Sequence, residues 1–395
     1  MTLDNSSVQI PHAHPFDYSD LLTYRKEFPL VQQKTYLNSC SIGALSIRSL
    51  QGMSQFMMWN DWELWLDQVA RARQKFAAII GAQVHEVALA SSVSAALSSL
   101  STAFDYRIRN KIVMSALDFP TLPYQWLAKK RLGVECHFVE SLDHMSVPPE
   151  LFAPVVDKQT ALLATSRVCY TSGYVQDVRA LADIAHEHGA YLLVDDYQGT
   201  GQVPINVRSS GVDFLVTGAL KWLMGGPGLA FVYIREELIR DLEPTITGWF
   251  GHNGQFQFHA RSFAFRPDAA KIEMGTPAMA AVYAANGGLD IVLEAGIEKI
   301  SERSQYLAND LIARVHDQGW VILSPHEPER RSAIVMLDMD NAQETVQELR
   351  AQNIIIDTYF GLLRISPYFY NTIEENALLV HALAEIQDRK KEHHW

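Results

Sequence analysis

Residues 191–228 read YLLVDDYQGTGQVPINVRSSGVDFLVTGALKWLMGGPG, and this stretch decides the fold. The apolar run Tyr191–Val194 ends directly in Asp195, and a second run, Asp213–Thr217, stops just before Lys221, Trp222 and the glycine-rich GGPG at 225–228. Short apolar runs without alternation are strands buried on both faces of a parallel sheet. Ligands of such sheets sit at the carboxyl ends of the strands. Lys221 follows Asp195 by 26 residues, one strand–loop–strand excursion, so both side chains reach the same rim. The plain reading of such a pair is a salt bridge. Leu220, Trp222 and Leu223 argue for more, because they desolvate the ammonium and lower its pKa. A lysine of that kind forms an imine with an aldehyde.

Outward from this segment, strand-like runs recur at Glu86–Ser91, Lys111–Ala116, Ala161–Val168 and Leu229–Ile234. Helix-like stretches at 94–104, 120–131 and 178–188 lie between them, which implies βαβ units, an α/β fold and a mostly parallel sheet. A long helical stretch over 278–317 has Gly287, Gly288 and Gly296 as weak points. Strand candidates at 333–339 and 353–357, GLLRISP and a final helix at 373–390 complete the chain as a smaller α+β unit. The division expected is an N-terminal arm over 1–30, rather than a core element, packing with the small domain, a large domain over 31–285 and a small domain over 286–395. FMMWNDWELWLDQ (56–68) spaces Trp59, Trp62 and Trp65 three apart: a helix burying aromatic bulk in the core or at a subunit contact, or a channel lining.

Composition bounds the function. The 395 residues are 48% apolar and 20% charged, an ordinary globular balance, with prior expectation of two or three domains. Lys plus Arg is 33 and Asp plus Glu is 45, a formal charge of −12, which disfavours nucleic acid. Three scattered cysteines make neither a disulfide framework nor a zinc knuckle. The N-terminus lacks the features of a signal peptide, and no apolar run approaches the ~20 residues of a membrane span. The expectation is a soluble, cytoplasmic enzyme with no metal. His186 and His188 in AHEHG project about 200° apart on a helix and do not share a metal. Pyridoxal phosphate requires a desolvated lysine together with an acid that keeps its ring nitrogen protonated.

VDDYQ followed by VTGALKWLMGGPG resembles the cofactor segment of the class V aminotransferases, which are fold-type-I pyridoxal-phosphate enzymes. The group includes cysteine desulfurases, kynureninases and isopenicillin N epimerases. The resemblance runs from about Tyr36 to Leu383, and EMGTPAMA (273–280) and RISPYFYNT (364–372) are its other specific stretches. It implies a large domain built on a seven-stranded-type sheet. It makes Lys221 the Schiff-base lysine and Asp195 the partner of the pyridine nitrogen.

The remaining site residues follow from the same resemblance. VALASSVSAALSSL (87–100) is a strand, a small-residue turn and a helix start, where Val93 and Ser94 present amides and a hydroxyl to the cofactor phosphate. By itself that serine is no more than an N-cap. In SALDFPTLPYQW (115–126), Phe119 stands where the family stacks a ring on the pyridine; otherwise it is core. Gln198 matches the residue near the cofactor's phenolic oxygen, with Cys169 and Tyr170 as further neighbours. Gly275 and Thr276 match the loop that crosses a dimer interface to the other subunit's phosphate, implying a homodimer with shared sites. Arg364, in an apolar strand, needs an anion. The family's use of the position is a bidentate hold on the substrate α-carboxylate, and a structural ion pair is the plainer alternative. Asn38 and Ser41 in YLNSCSIGALS (36–46), and Trp249 in GWFG (248–251), are substrate neighbours.

The sequence departs from the family in three places. No cysteine follows Arg364, so persulfide-forming desulfuration is not expected. Gly218 and Leu220 replace the residues often found before the lysine, which leaves Thr217 for the phosphate. Tyr359 stands near where relatives carry an arginine. The expectation is therefore an enzyme acting on an α-amino acid, transamination first, with β-elimination at a C–S bond or epimerisation as alternatives. A non-catalytic pyridoxal-binding regulator would need a DNA-binding extension or loss of the lysine or arginine, and neither is seen.

Overall fold

The computed structural model describes residues 19–58 and 61–392. Residues 1–18 of the expected arm, with His12 and His14, the C-terminal His393 and His394, and Trp59 lie outside the described residues.

In chain order the strands are β1 (Thr35–Tyr36), β2 (Val87–Ala90), β3 (Lys111–Ser115), β4 (Glu135–Val139), β5 (Thr160–Ser166), β6 (Tyr191–Asp195), β7 (Phe214–Gly218) and β8 (Ala230–Ile234). They continue with β9 (Val335–Asp338), β10 (Ile354–Ile355), β11 (Asp357–Tyr359) and β12 (Leu362–Ile365). Seven of them form one sheet in the order β2-β8-β7-β6-β5-β3-β4, in which β8 alone runs against the rest. The expected mostly parallel sheet is thus present. β5, β6, β7 and β8 are almost wholly buried, as runs without alternation require. The sequence reading missed β4. It is an edge strand with three exposed residues, so it carries neither a continuous apolar run nor a clean alternation.

Helices over Val93–Leu100, Thr121–Leu127 and Val178–Glu187 follow β2, β3 and β5, each close to its expected place. The long helical stretch breaks once, at Gly296, into Met279–Ala295 and Ile297–Asp317. Gly287 and Gly288 are not weak points. A Cβ on Gly287 would meet the Ser49 nitrogen at 2.5 Å, and one on Gly288 the Leu223 oxygen at 2.0 Å. These glycines let an intact helix approach neighbouring backbone closely.

A second, three-stranded sheet, β11-β12-β9, carries Arg364. β1 pairs with β10, and Asn38 bridges to Ser366, so the chain just after β1 is laid along the end of β12. Residues 19–33, which take in the described part of the expected arm, pack with the small domain, but through buried apolar side chains. They form short helical turns with Leu21, Phe28 and Val31 buried, and Phe28 packs against Phe369 and Tyr370. Arg25 pairs with Glu375 and donates to the Tyr370 carbonyl. Among the described residues no helix is long and apolar enough to cross a membrane.

Candidate active site

The ends of β6 and β7 meet at Lys221. β6 ends in Asp195, which is 4% exposed and pairs in register with Ser166 of β5. Its Oδ1 accepts from the Tyr197 N–H at 3.0 Å, and among the described residues no hydrogen bond reaches Oδ2. Burial pushes the carboxyl up to about 6, against that hydrogen bond and the nearby Lys221 charge. The chain leaves β7 through a turn in which Gly43 donates to Leu220. A Cβ on Gly43 would fall 1.8 Å from the Lys221 oxygen. Glycine at 43 is what allows the loop after β1 to lie against the lysine.

The Lys221 ammonium sits 4.4 Å from the Tyr197 ring centroid and 5.9 Å from that of Phe119. Among the described residues no acceptor bonds Nζ. Burial draws its pKa down to about 8, and the Arg364 charge acts in the same direction while Cys40 and Asp195 oppose it. Lys221 and Asp195 sense each other's charge but form no direct ion pair, so the salt-bridge reading fails. An unbonded, desolvated amine flanked by an aromatic face and a carboxylate with a free oxygen fits pyridoxal phosphate.

The phosphate end fits as well. Ser92 caps the helix Val93–Leu100 by accepting from the Ala95 N–H, whereas the amides of Val93 and Ser94 bond to no acceptor among the described residues. Ser91, Ser92 and Ser94 are exposed, and the Ser94 hydroxyl is 2.5 Å from that of Thr121, two residues beyond Phe119. Phe119 is 41% exposed, so it is not simple core. Its turn is clamped from below by Asp118, which accepts from the N–H groups of Ser115 and Ser166 and from the Thr165 hydroxyl.

Two expected contacts are differently placed. The Thr217 hydroxyl is wholly buried and donates to the Asp196 carbonyl at 3.3 Å, so it is turned away from any phosphate. The Gln198 amide donates to the Cys40 carbonyl at 2.9 Å and accepts from the Trp222 indole at 2.8 Å. Gln198 thereby ties the lysine loop to the loop after β1, instead of pointing both ends at a ligand.

Arg364 is 1% exposed, and its guanidinium lies 4.0 Å from the Tyr359 ring centroid. Nη2 donates to Ser41 Oγ at 2.6 Å and to Asp357 Oδ2 at 3.0 Å, and Nη1 donates to the Tyr170 carbonyl. Nε–H is buried without a partner. Of five guanidinium hydrogens, three are used, and the two left, on Nε and Nη1, lie on opposite edges of the plane. Ser41, expected beside the substrate, thus bonds the arginine, and Asn38 lies in the same loop, its Oδ1 3.9 Å from the Cys40 sulfur.

Trp249, Gly275 and Thr276 form a separate cluster. Trp249 packs edge-on against Trp62 and Phe256, and Gly275 lies beside its indole nitrogen. Thr276 is exposed, as are Met274, Phe256 and Phe258. Trp62 belongs to this outward aromatic face, and Trp65 packs on Phe56 behind it.

The sequence reading missed Tyr197, Cys40 and Asp357 as neighbours of the charged pair. Only Tyr197 had a local signal, its position two residues after Asp195.

The chain matches the profile of the family described as Aminotransferase class-V over residues 63–378. It is similar to the Uncharacterized aminotransferase YcbU of Bacillus subtilis (strain 168), with 33% identity covering 92% of this chain and 96% of that one. It is also similar to the kynureninase of Geobacillus thermodenitrificans (strain NG80-2), with 27% identity covering 96% of this chain and 94% of that one. Among solved structures, the apo cysteine desulfurase of Thermococcus onnurineus NA1 has the same fold. Its TM-score is 0.84 at 19% identity, covering 96% of this chain and 99% of the other.

Proposed function

The chain belongs to the class V aminotransferase family of pyridoxal-phosphate enzymes acting on amino acids, and from that premise we propose that it transaminates an α-amino acid at Lys221. The observation that carries the reading is the Lys221 Nζ, desolvated and unbonded, with Asp195 and Arg364 both close enough to shift its pKa. Lys221 would hold the cofactor covalently through Nζ, and Asp195 Oδ2 would accept from its ring nitrogen. The amides of Val93 and Ser94, with the Ser94 hydroxyl, would hold its phosphate, and Phe119 would cover its ring. When bound, the cofactor takes up the substrate's amino group and withdraws the electrons released at Cα.

The chain's own groups do the rest. Arg364 would hold the substrate carboxylate by its charge, which orients the Cα–H bond. Asp357 and Ser41 keep the guanidinium compensated in the absence of an anion. The freed Lys221 Nζ takes the Cα proton as general base, a role for which a pKa of about 8 is well matched. Thr276 and the neighbouring Met274, Phe256 and Phe258 are exposed beside the half-buried Trp249 and Gly275, which supports a homodimer in which this cluster completes the other subunit's site.

The test is product analysis with a panel of amino acids. Keto acid formed once per active site, and continuously only when an acceptor keto acid is added, is the expected result. Continuous ammonia release would instead establish β-elimination, and inversion without keto acid would establish epimerisation.

Two predictions follow from the charges. Only the neutral amine captures an aldehyde, so the rate of cofactor uptake by the apoprotein should rise with pH up to about 8 and then level off, as read by absorbance. Arg364→Ala should lose a charge-assisted bond of about 1.5–3 kcal/mol, which raises KM roughly 10- to 150-fold. Arg364→Lys should recover only part, because an ammonium lacks the planar fork.

A further inference from the structure

Four aromatic rings lead from the lysine to the rim of the site. Phe119, 5.9 Å from Lys221 Nζ, meets Tyr170 edge-on at 5.2 Å. Tyr170 meets Tyr359 edge-on at 5.7 Å, and Phe360 follows at 6.4 Å from Tyr359. The chain of rings joins the large sheet to the hairpin of β11 and β12 and passes over Arg364, which lies under Tyr359.

Phe360 is the unusual member. It occupies the first position of the two-residue turn Phe360–Gly361, with φ of +52° and +82°. A turn with both residues in the left-handed region favours Asn-Gly or Gly-Gly, and a bulky residue there is strained. It is also 79% exposed, so folding gains almost nothing from its ring. A strained, exposed aromatic at the mouth of a site is a candidate for ligand contact.

Charge narrows the ligand. Asp357 Oδ2 already occupies Arg364 Nη2 at 3.0 Å, and the Tyr359 ring covers the guanidinium at 4.0 Å. A second carboxylate on the substrate would meet Asp357 and aromatic faces instead of a positive charge.

We propose that Phe119, Tyr170, Tyr359 and Phe360 form a wall that selects α-amino acids with an aromatic side chain and discriminates against acidic ones. The inference rests on Arg364 holding the α-carboxylate. Side-chain selection then comes from ring-on-ring contact along the wall, with Phe360 closing its outer end.

The experiment measures calorimetric binding of three unreactive carboxylates to the holoenzyme: hydrocinnamate, glutarate and propionate. Hydrocinnamate should bind about tenfold more tightly than either of the others. Phe360→Asn suits the turn and should fold at least as stably. It should weaken hydrocinnamate roughly fivefold while leaving propionate unchanged. Glutarate binding as tightly as hydrocinnamate, or Phe360→Asn weakening propionate equally, overturns the wall. Arg364→Ala separates the two claims. If it abolishes binding of all three acids and the wild type shows no preference, the wall alone fails. If it leaves all three unchanged, the carboxylate site and the wall fail together.

Discussion

Lys221→Ala is expected to remove the visible absorbance of lysine-bound cofactor and to cut turnover by about 10²- to 10⁴-fold or more, since base and covalent anchor are lost together. The fold should not suffer. Among the described residues Nζ makes no hydrogen bond, and its pKa of about 8 in the folded chain lies below the ordinary 10.5. The charged form is therefore penalised by folding. That penalty is fully present below pH 8 and fades as pH rises toward 10.5. Melting the apoprotein should accordingly show Lys221→Ala as stable as the wild type or more so below pH 8. A variant that keeps the absorbance band and the wild-type rate would remove Lys221 from the mechanism.

Asp195→Asn and Asp196→Asn, adjacent in the chain, are expected to fail in opposite ways. Asp196 is 0% exposed and pairs bidentately with the buried Arg167 at 2.7 and 2.9 Å, while the Thr200 hydroxyl donates to it. Arg167 also donates to the carbonyls of Val203 and Pro204. Breaking one side of a buried pair costs about 3–5 kcal/mol, because the remaining charge has nowhere to go. Asp196→Asn should therefore lower the melting temperature sharply.

Among the described residues Asp195 makes a single side-chain hydrogen bond, and its pKa of about 6 lies above the ordinary 3.8. The folded chain binds its proton more strongly than the unfolded one. Stability consequently falls as pH rises from about 4 to 6, with the penalty complete above 6. Asp195→Asn should leave the apoprotein as stable or more stable above pH 6, yet it should abolish turnover. Thermal melts and rates on both variants decide the matter. A destabilised Asp195→Asn would make that carboxylate structural.

That contrast marks the limit of sequence reading at DDY. The β6 periodicity places both carboxylates at the rim, but which is paired depends on Arg167, 29 residues earlier on a neighbouring strand's continuation. Gln198 and Thr217 show the same limit. Both lie where a cofactor contact was expected, and both are drawn to partners inside the chain, Cys40 and Trp222 in one case and the Asp196 carbonyl in the other. A residue type at a motif position specifies what it can bond, not which of several available partners reaches it first.

The sequence by itself determined the buried strands of the central sheet, because continuous apolar runs ending in polar residues have few other solutions. It placed Lys221 and Asp195 at one rim of the sheet, because each follows the end of such a strand. Tertiary structure alone decided how Arg364 is held. Ser41 reaches it from 323 residues away, carried there by a loop that Gly43 allows to pass over Lys221. Tertiary structure alone also assembled the ring sequence Phe119, Tyr170, Tyr359, Phe360 from three separate loops. Local periodicity records which face of an element is buried. Contacts between distant loops leave no periodic trace, since each loop obeys only its own turn geometry until the sheets beneath bring the loops together.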